Sequence, residues 1–99
     1  MISASPRRLA VFKVVVESGG INAAARELDI SQPSVSAHIR ALERQVGSPL
    51  FSRQRGRTNQ MTGIGQAIYT YACEFLHKSE EVDLELRKLR GGELSLIHI

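Results

Sequence analysis

The sequence predicts a mainly α fold: a winged helix-turn-helix of three helices and a β-hairpin wing, followed by a long dimerisation helix. Three observations predict it. Residues 22–51, NAAARELDISQPSVSAHIRALERQVGSPLF, read as two short helical patterns separated by a tight polar turn. Residues 49–61 hold short extended runs on either side of a basic turn with Gly56 near its tip. Beyond Thr62 an apolar stripe continues at helical spacing for longer than a small three-helix domain can cover. The expected organisation is a winged helix-turn-helix domain over 1–62, a linker and dimerisation helix over 63–90, and over 91–99 either the start of a further domain or a remnant foreign to it.

The elements follow in order. Ser5 and Pro6 start the first helix, Ser5 as N-cap and Pro6 where a missing N–H leaves nothing unsatisfied. Leu9, Phe12 and Val16 recur at helical spacing, and Gly19-Gly20 ends the run because glycine accepts the left-handed C-terminal conformation. Asn22 is the expected cap of a second helix reaching about Asp29, with Ala24, Ala25 and Leu28 inward. Ser31 caps the third, Pro33 sits in its first turn, and Gly47 stops it. Thr62 caps the fourth, which runs to about Arg90, where Gly91-Gly92 should break it. That helix would have about 28 residues and span roughly 42 Å at 1.5 Å per residue.

The third helix carries the most information. Val35, Ile39, Leu42 and Val46 are spaced four, three and four apart, which puts them on one face. The other face holds Gln32, Ser34, Ser36, Ala37 and Arg40, small or hydrogen-bonding residues with one cation. A helix with one buried stripe and one small, polar, partly basic face can enter the DNA major groove. The amide of Gln32 both donates and accepts, matching the N6/N7 edge of adenine, and it also reaches phosphate. Pro33 and Ala37 offer apolar contact to a thymine methyl. Ser34 and Ser36 reach bases or phosphates, and His38 reads equally as a base reader or as a plain exposed helix residue. Arg53, Arg55 and Arg57 on the wing would lie over the backbone or a narrow A·T-rich minor groove. Arg7 and Arg8 are poorly placed for the dipole of the first helix, which leaves phosphate contact or a flexible surface. Asn22, at the start of the second helix, completes the candidate DNA-facing set.

Charge agrees with this division. The net charge is +3, but residues 1–62 hold nine Lys and Arg against four Asp and Glu, whereas residues 63–99 hold four against six. A basic front half suits a polyanionic partner. In the rear half Ile64, Ile68, Phe75, Val82, Leu86 and Leu89 form the stripe predicted to meet a second copy of the helix. Ser79 is the one polar residue in its seam.

The same residues carry a resemblance. Asn22, Ala24-Ala25, Leu28, Ser31-Gln32-Pro33, Val35-Ser36, Ile39, Leu42-Glu43, Gly47 and Leu50-Phe51-Ser52-Arg53 together resemble the N-terminal domain of LysR-type transcriptional regulators. The match is dense and ungapped over about thirty residues, and looser similarity extends over roughly 5–96. It implies sequence-specific binding of double-stranded DNA as a homodimer, with the paired long helices antiparallel and a tetramer possible in a full-length protein. It also implies DNA contact by Gln32. Many relatives carry Arg at the place of Ala37, so His38 or Arg40 would have to supply a cation. The family's wing usually has an Arg three residues after the first. Here that place is Gly56, and the role falls to Arg55 or Arg57. Gly92-Glu93-Leu94-Ser95-Leu96 resembles the opening strand of the family's effector domain, to which any small-molecule effector would belong.

Other classes have little behind them. No run of eighteen apolar residues exists for a membrane span, and the N-terminus has no secretory pattern. Cys73 is the single cysteine, so no intrachain disulfide forms, and a reducing cytoplasm fits. His38, His77, His98 and Cys73 show no metal-ligand spacing. No phosphate loop, nucleophile elbow or carboxylate pair points to an enzyme or a cofactor. Glu43 reads as a structural ion-pair partner, and Cys73 as packing. The runner-up is a helix-mediated interaction module whose basic face is merely solvated.

Overall fold

The structure, a computed structural model, describes residues 4–52 and 60–98, with side chains described as far as residue 91. Four helices run in the order α1 (Pro6–Ser18), α2 (Ile21–Leu28), α3 (Gln32–Val46) and α4 (Gly63–His98). α1 is the hub and packs on the other three, while α2 also packs on α3. Leu9, Phe12 and Val15 of α1 meet Ala24 and Ala25 of α2, Val35, Ile39 and Leu42 of α3, Leu50, and Ile68 and Ala72 of α4 in one buried cluster. The alanines of α2 let that short helix approach closely, and the predicted inward stripe of α3 is the one that is buried, with Val46 half-buried at its end.

The helix ends follow the sequence with two differences. Gly19 and Gly47 take left-handed conformations, with φ of 94° and 84°, and close α1 and α3. Ser31 caps α3, its Oγ accepting the Ser34 N–H at 3.2 Å. Ser5 occupies the N-cap position of α1, but its side chain makes no capping bond. Asn22 is not a cap. α2 begins two residues earlier, with Gly20 as N-cap, and Asn22 lies in the first turn. Ile21 packs against the core, so burial of its side chain draws helical winding ahead of the asparagine.

Of the expected hairpin, the described residues include the root. A single antiparallel bridge pairs Phe51 with Met61, and the Ser52 N–H donates to the Gln60 carbonyl at 2.6 Å. No strand forms among the described residues, which leave only three positions on each arm. Residues 53–59, with Arg53, Arg55 and Arg57, lie outside the described residues. The root is anchored to the core by Phe51, whose ring meets Phe12 edge-on at 5.5 Å. Glu43 of α3 serves the same junction, its carboxylate accepting the Leu50 N–H at 2.9 Å.

α4 starts on Thr62, which acts in two directions. Its hydroxyl accepts the Gly65 N–H at 2.9 Å and donates to the Pro49 carbonyl at 2.8 Å. The Thr62 N–H also donates to the Leu50 carbonyl at 3.0 Å. A Cβ at Gly65 would overlap that same carbonyl oxygen, so the close approach requires glycine. Further along, the Tyr69 hydroxyl donates to the Glu17 carboxylate of α1 at 2.8 Å, and Lys13 pairs with Glu17 at 3.2 Å. The Tyr69 bond is the main reason that the Glu17 carboxyl titrates below its ordinary value. Bonding to that carboxylate, and then to Cys73, pushes the Tyr69 phenol well above its ordinary value.

Two expectations for α4 change. Ile68, placed in the dimer stripe by its spacing, is 3 % exposed and belongs to the domain's own core. The core therefore crosses residue 62. The break at Gly91-Gly92 is absent, and the 36-residue helix continues to His98. A helix-interior glycine costs about 1 kcal/mol relative to alanine, which weakens a helix without ending it. No described strand is available to pair with Gly92–Leu96, so local helical bonding prevails there.

Candidate nucleic-acid interface

α3 presents its first turns outward. Gln32, Pro33, Ser34, Ala37 and Arg40 are exposed, and Ser36 and His38 are half-buried, opposite the buried Val35, Ile39 and Leu42. The Ser31 cap fixes this turn, and the Ser31 hydroxyl also bonds the Ser34 hydroxyl at 3.1 Å. A helix start held this way keeps the Gln32 side chain at the leading edge, where a base edge or a phosphate would be met first.

α2 supplies the facing wall. An open groove of about 540 Å³ runs between the two helices, lined by Asn22, Ala23 and Arg26 of α2, Gln32 and Ser36 of α3, and the Ser18–Ile21 segment. A second groove of about 380 Å³ lies between α3 and the wing root, lined by Ile39, Arg40, Glu43, Phe51 and Ser52 with Ile21. The structure thus brings Asn22, Gln32 and Ser36 together in the first groove and sets Arg40 in the second. Pro33, Ser34, Ala37 and His38 lie on the α3 surface outside both. Arg7 is exposed and Arg8 half-buried in the first turn of α1, and neither lines these grooves. Arg26 is not among the residues singled out by spacing, although it stands four positions after Asn22 and so on the same face of α2.

The two displaced titrating groups, Glu17 and Tyr69, lie on the α1–α4 contact and away from these grooves. Among the described residues no group of three His, Cys, Asp or Glu side chains could hold a metal ion. No described helix is long and apolar enough to cross a membrane.

A family model described as bacterial regulatory helix-turn-helix protein, lysR family, matches residues 6–66, from the start of α1 to the first turn of α4. This chain is a member of the LysR family. Among its relatives is a probable RuBisCO transcriptional regulator of Cyanidioschyzon merolae, 39 % identical over 90 residues, covering 88 % of this chain and 29 % of that protein. The regulator ClcR of Pseudomonas putida is 37 % identical over 93 residues, covering 94 % of this chain and 31 % of its own length. The chain thus spans about a third or less of these two LysR regulators. Both relatives are named as transcriptional regulators, the first as a probable one. The fold agrees with the same family. The BenM DNA-binding domain in its complex with catB site 1 DNA matches with a TM-score of 0.82 at 30 % identity, over 90 % of this chain and 95 % of that one. The LysR regulator CbnR matches with a TM-score of 0.75 at 29 % identity, over 84 % of this chain and 28 % of that one.

Proposed function

We propose that this LysR-family chain reads an operator in double-stranded DNA, with α3 in the major groove and two chains joined through the rear half of α4. The observation that carries the reading is the outward first turn of α3, with Gln32, Ser34, Ala37 and Arg40 exposed around the Ser31 cap. It is supported by the likeness to a LysR domain solved on DNA along nearly the whole of both chains. In this reading Gln32, Ser34 and Ser36 meet base edges or phosphates, and Pro33 and Ala37 meet thymine methyl groups. His38 and Arg40 lie further along the groove. The Phe51–Met61 bridge supports a wing that carries Arg53, Arg55 and Arg57 over the adjoining backbone or minor groove, and Asn22, Arg7 and Arg8 bind flanking phosphates.

The homodimer rests on Val82, Leu86 and Leu89, which are exposed at helical spacing with no cover in the single chain. Ile64 and Phe75 extend that stripe towards the domain. In a full-length regulator such dimers would pair into tetramers, work in the cytoplasm, and answer to a small-molecule effector bound by another domain.

Selection from a pool of random duplexes tests the proposal in one experiment. A site with two related half-sites on one face of the duplex, about one helical turn or a small multiple apart, is expected. Gln32→Ala should lower affinity for the selected site by ~1–3 kcal/mol and leave random duplex binding nearly intact. Recovery of no enriched sequence would refute specific reading. Equal losses on both DNAs would leave Gln32 as a phosphate anchor.

A further inference from the structure

We propose that Arg26 binds a DNA phosphate, clamping the strand that passes over the groove between α2 and α3. The inference rests on the DNA-binding reading above and adds a contact on the helix that does not read bases. Asn22 and Arg26, four residues apart, form one wall of the groove, and Gln32 and Ser36, also four apart, form the other. Each of the four side chains can donate a hydrogen bond. No acidic side chain lines the groove. A site walled by donors around one cation suits an anion with several acceptor oxygens.

Arg26 is free to take that role. It is exposed, and its guanidinium makes no ion pair or hydrogen bond with a described residue. Glu27 is adjacent in sequence and points elsewhere around the helix. A guanidinium binds phosphate through two parallel N–H donors, so an unpaired arginine beside the reading helix is preorganised for a backbone contact. The competing role is local: Arg26 lies in the last turn of α2, where a cation offsets the helix dipole.

Salt titration separates the two roles. Binding of the wild-type chain, Arg26→Ala and Arg26→Lys would be measured on a random duplex pool and on a selected duplex across a series of salt concentrations, with thermal melting alongside. Loss of one phosphate contact lowers the slope of log affinity against log salt by about 0.9. Arg26→Ala should show that loss on both DNAs, and Arg26→Lys should recover most of it. An unchanged slope with a lowered melting temperature would assign Arg26 to the dipole of α2 and overturn the proposal. A loss confined to the selected duplex, with the slope unchanged, would make it a base reader and overturn it equally. If Arg26→Ala melts below the assay temperature, the comparison runs between wild type and Arg26→Gln at lower temperature. Failure of the wild-type chain to bind either duplex would instead refute the DNA-binding reading itself.

Discussion

The two halves of α4 share one helix and one apolar spacing, yet they live in different surroundings. From Gly63 to Leu76 the helix packs on α1, with Ile68 and Ala72 buried and Tyr69 bonded to Glu17. From His77 to Gly91 every residue is exposed, including Val82, Leu84, Leu86 and Leu89, the last at 60 %. Burying an aliphatic side chain is worth about 1.5–3 kcal/mol, so the front half is stabilised by its own domain. The rear half gains nothing comparable in the single chain. Its sequence keeps large apolar residues where solvated helices carry polar ones, and this contrast assigns them to a second surface. Periodicity alone shows that a face is apolar; the fold shows which part of that face is already used.

Four variants test the contrast, ordered by expected effect on the fold. Ile68→Ala should cost ~2–5 kcal/mol in urea unfolding, because it opens a cavity between α4 and α1 in the buried core. A loss below about 0.5 kcal/mol would show that the front half is not part of the core. Gly65→Ala should cost ~1–3 kcal/mol, since the added methyl group meets the backbone carbonyl of Leu50, which cannot swing aside. Unchanged melting would mean that the helix start is not seated on that carbonyl. Val82→Glu with Leu86→Glu should leave unfolding of the dilute single chain within about 0.5 kcal/mol while abolishing self-association in sedimentation. A wild-type chain that stays monomeric at high concentration would break the comparison at its far end.

The smallest effect is a pH dependence. The folded Glu17 carboxyl titrates below its ordinary 4.5, chiefly through the Tyr69 bond. Its contribution is therefore present above that value and fades as pH falls through the folded one. The Tyr69 phenol is displaced upward from 10.0, chiefly by the same bond. That contribution is complete below the ordinary value and fades as pH rises through the folded one. Tyr69→Phe should flatten both limbs of a stability–pH curve measured between about pH 3 and pH 11, with Lys13 leaving a residue of the acid limb. Superimposable curves would contradict the assignment.

Much of the fold was legible from local chemistry. The Ser31 cap, the glycine stops at Gly19 and Gly47, and the inward stripe of α3 each depend on a few neighbouring residues, and these appear as expected. The misses depend on distant ones. Asn22 has the chemistry of a cap, but packing of Ile21 starts α2 earlier. Ile68 has the spacing of an interface residue, but α1 reaches it first. Gly91-Gly92 reads as a break where only a weakened helix follows. The candidate interface was legible on α3, whose exposed face is the complement of its buried stripe. Arg26 on α2 was not, because its relation to Gln32 and Ser36 arises only when two helices are folded against each other.

Thr62 has a mechanical consequence. Its hydroxyl ties Pro49 to Gly65 while its amide holds Leu50, so the segment that follows α3, the wing root and the first turn of α4 are riveted at one joint. Like a crank welded to its arm, α4 cannot swivel there without opening the two hydrogen bonds from Thr62 to Pro49 and Leu50. Residues 63–90, ahead of the glycine pair, then act as a lever of about 42 Å whose direction is set where its first turns are seated. Any force applied along it reaches the domain through α1, on which α4 packs. In the proposed pairing of two chains through α4, the separation of their third helices would be set by where the levers cross, and not by play at the joint.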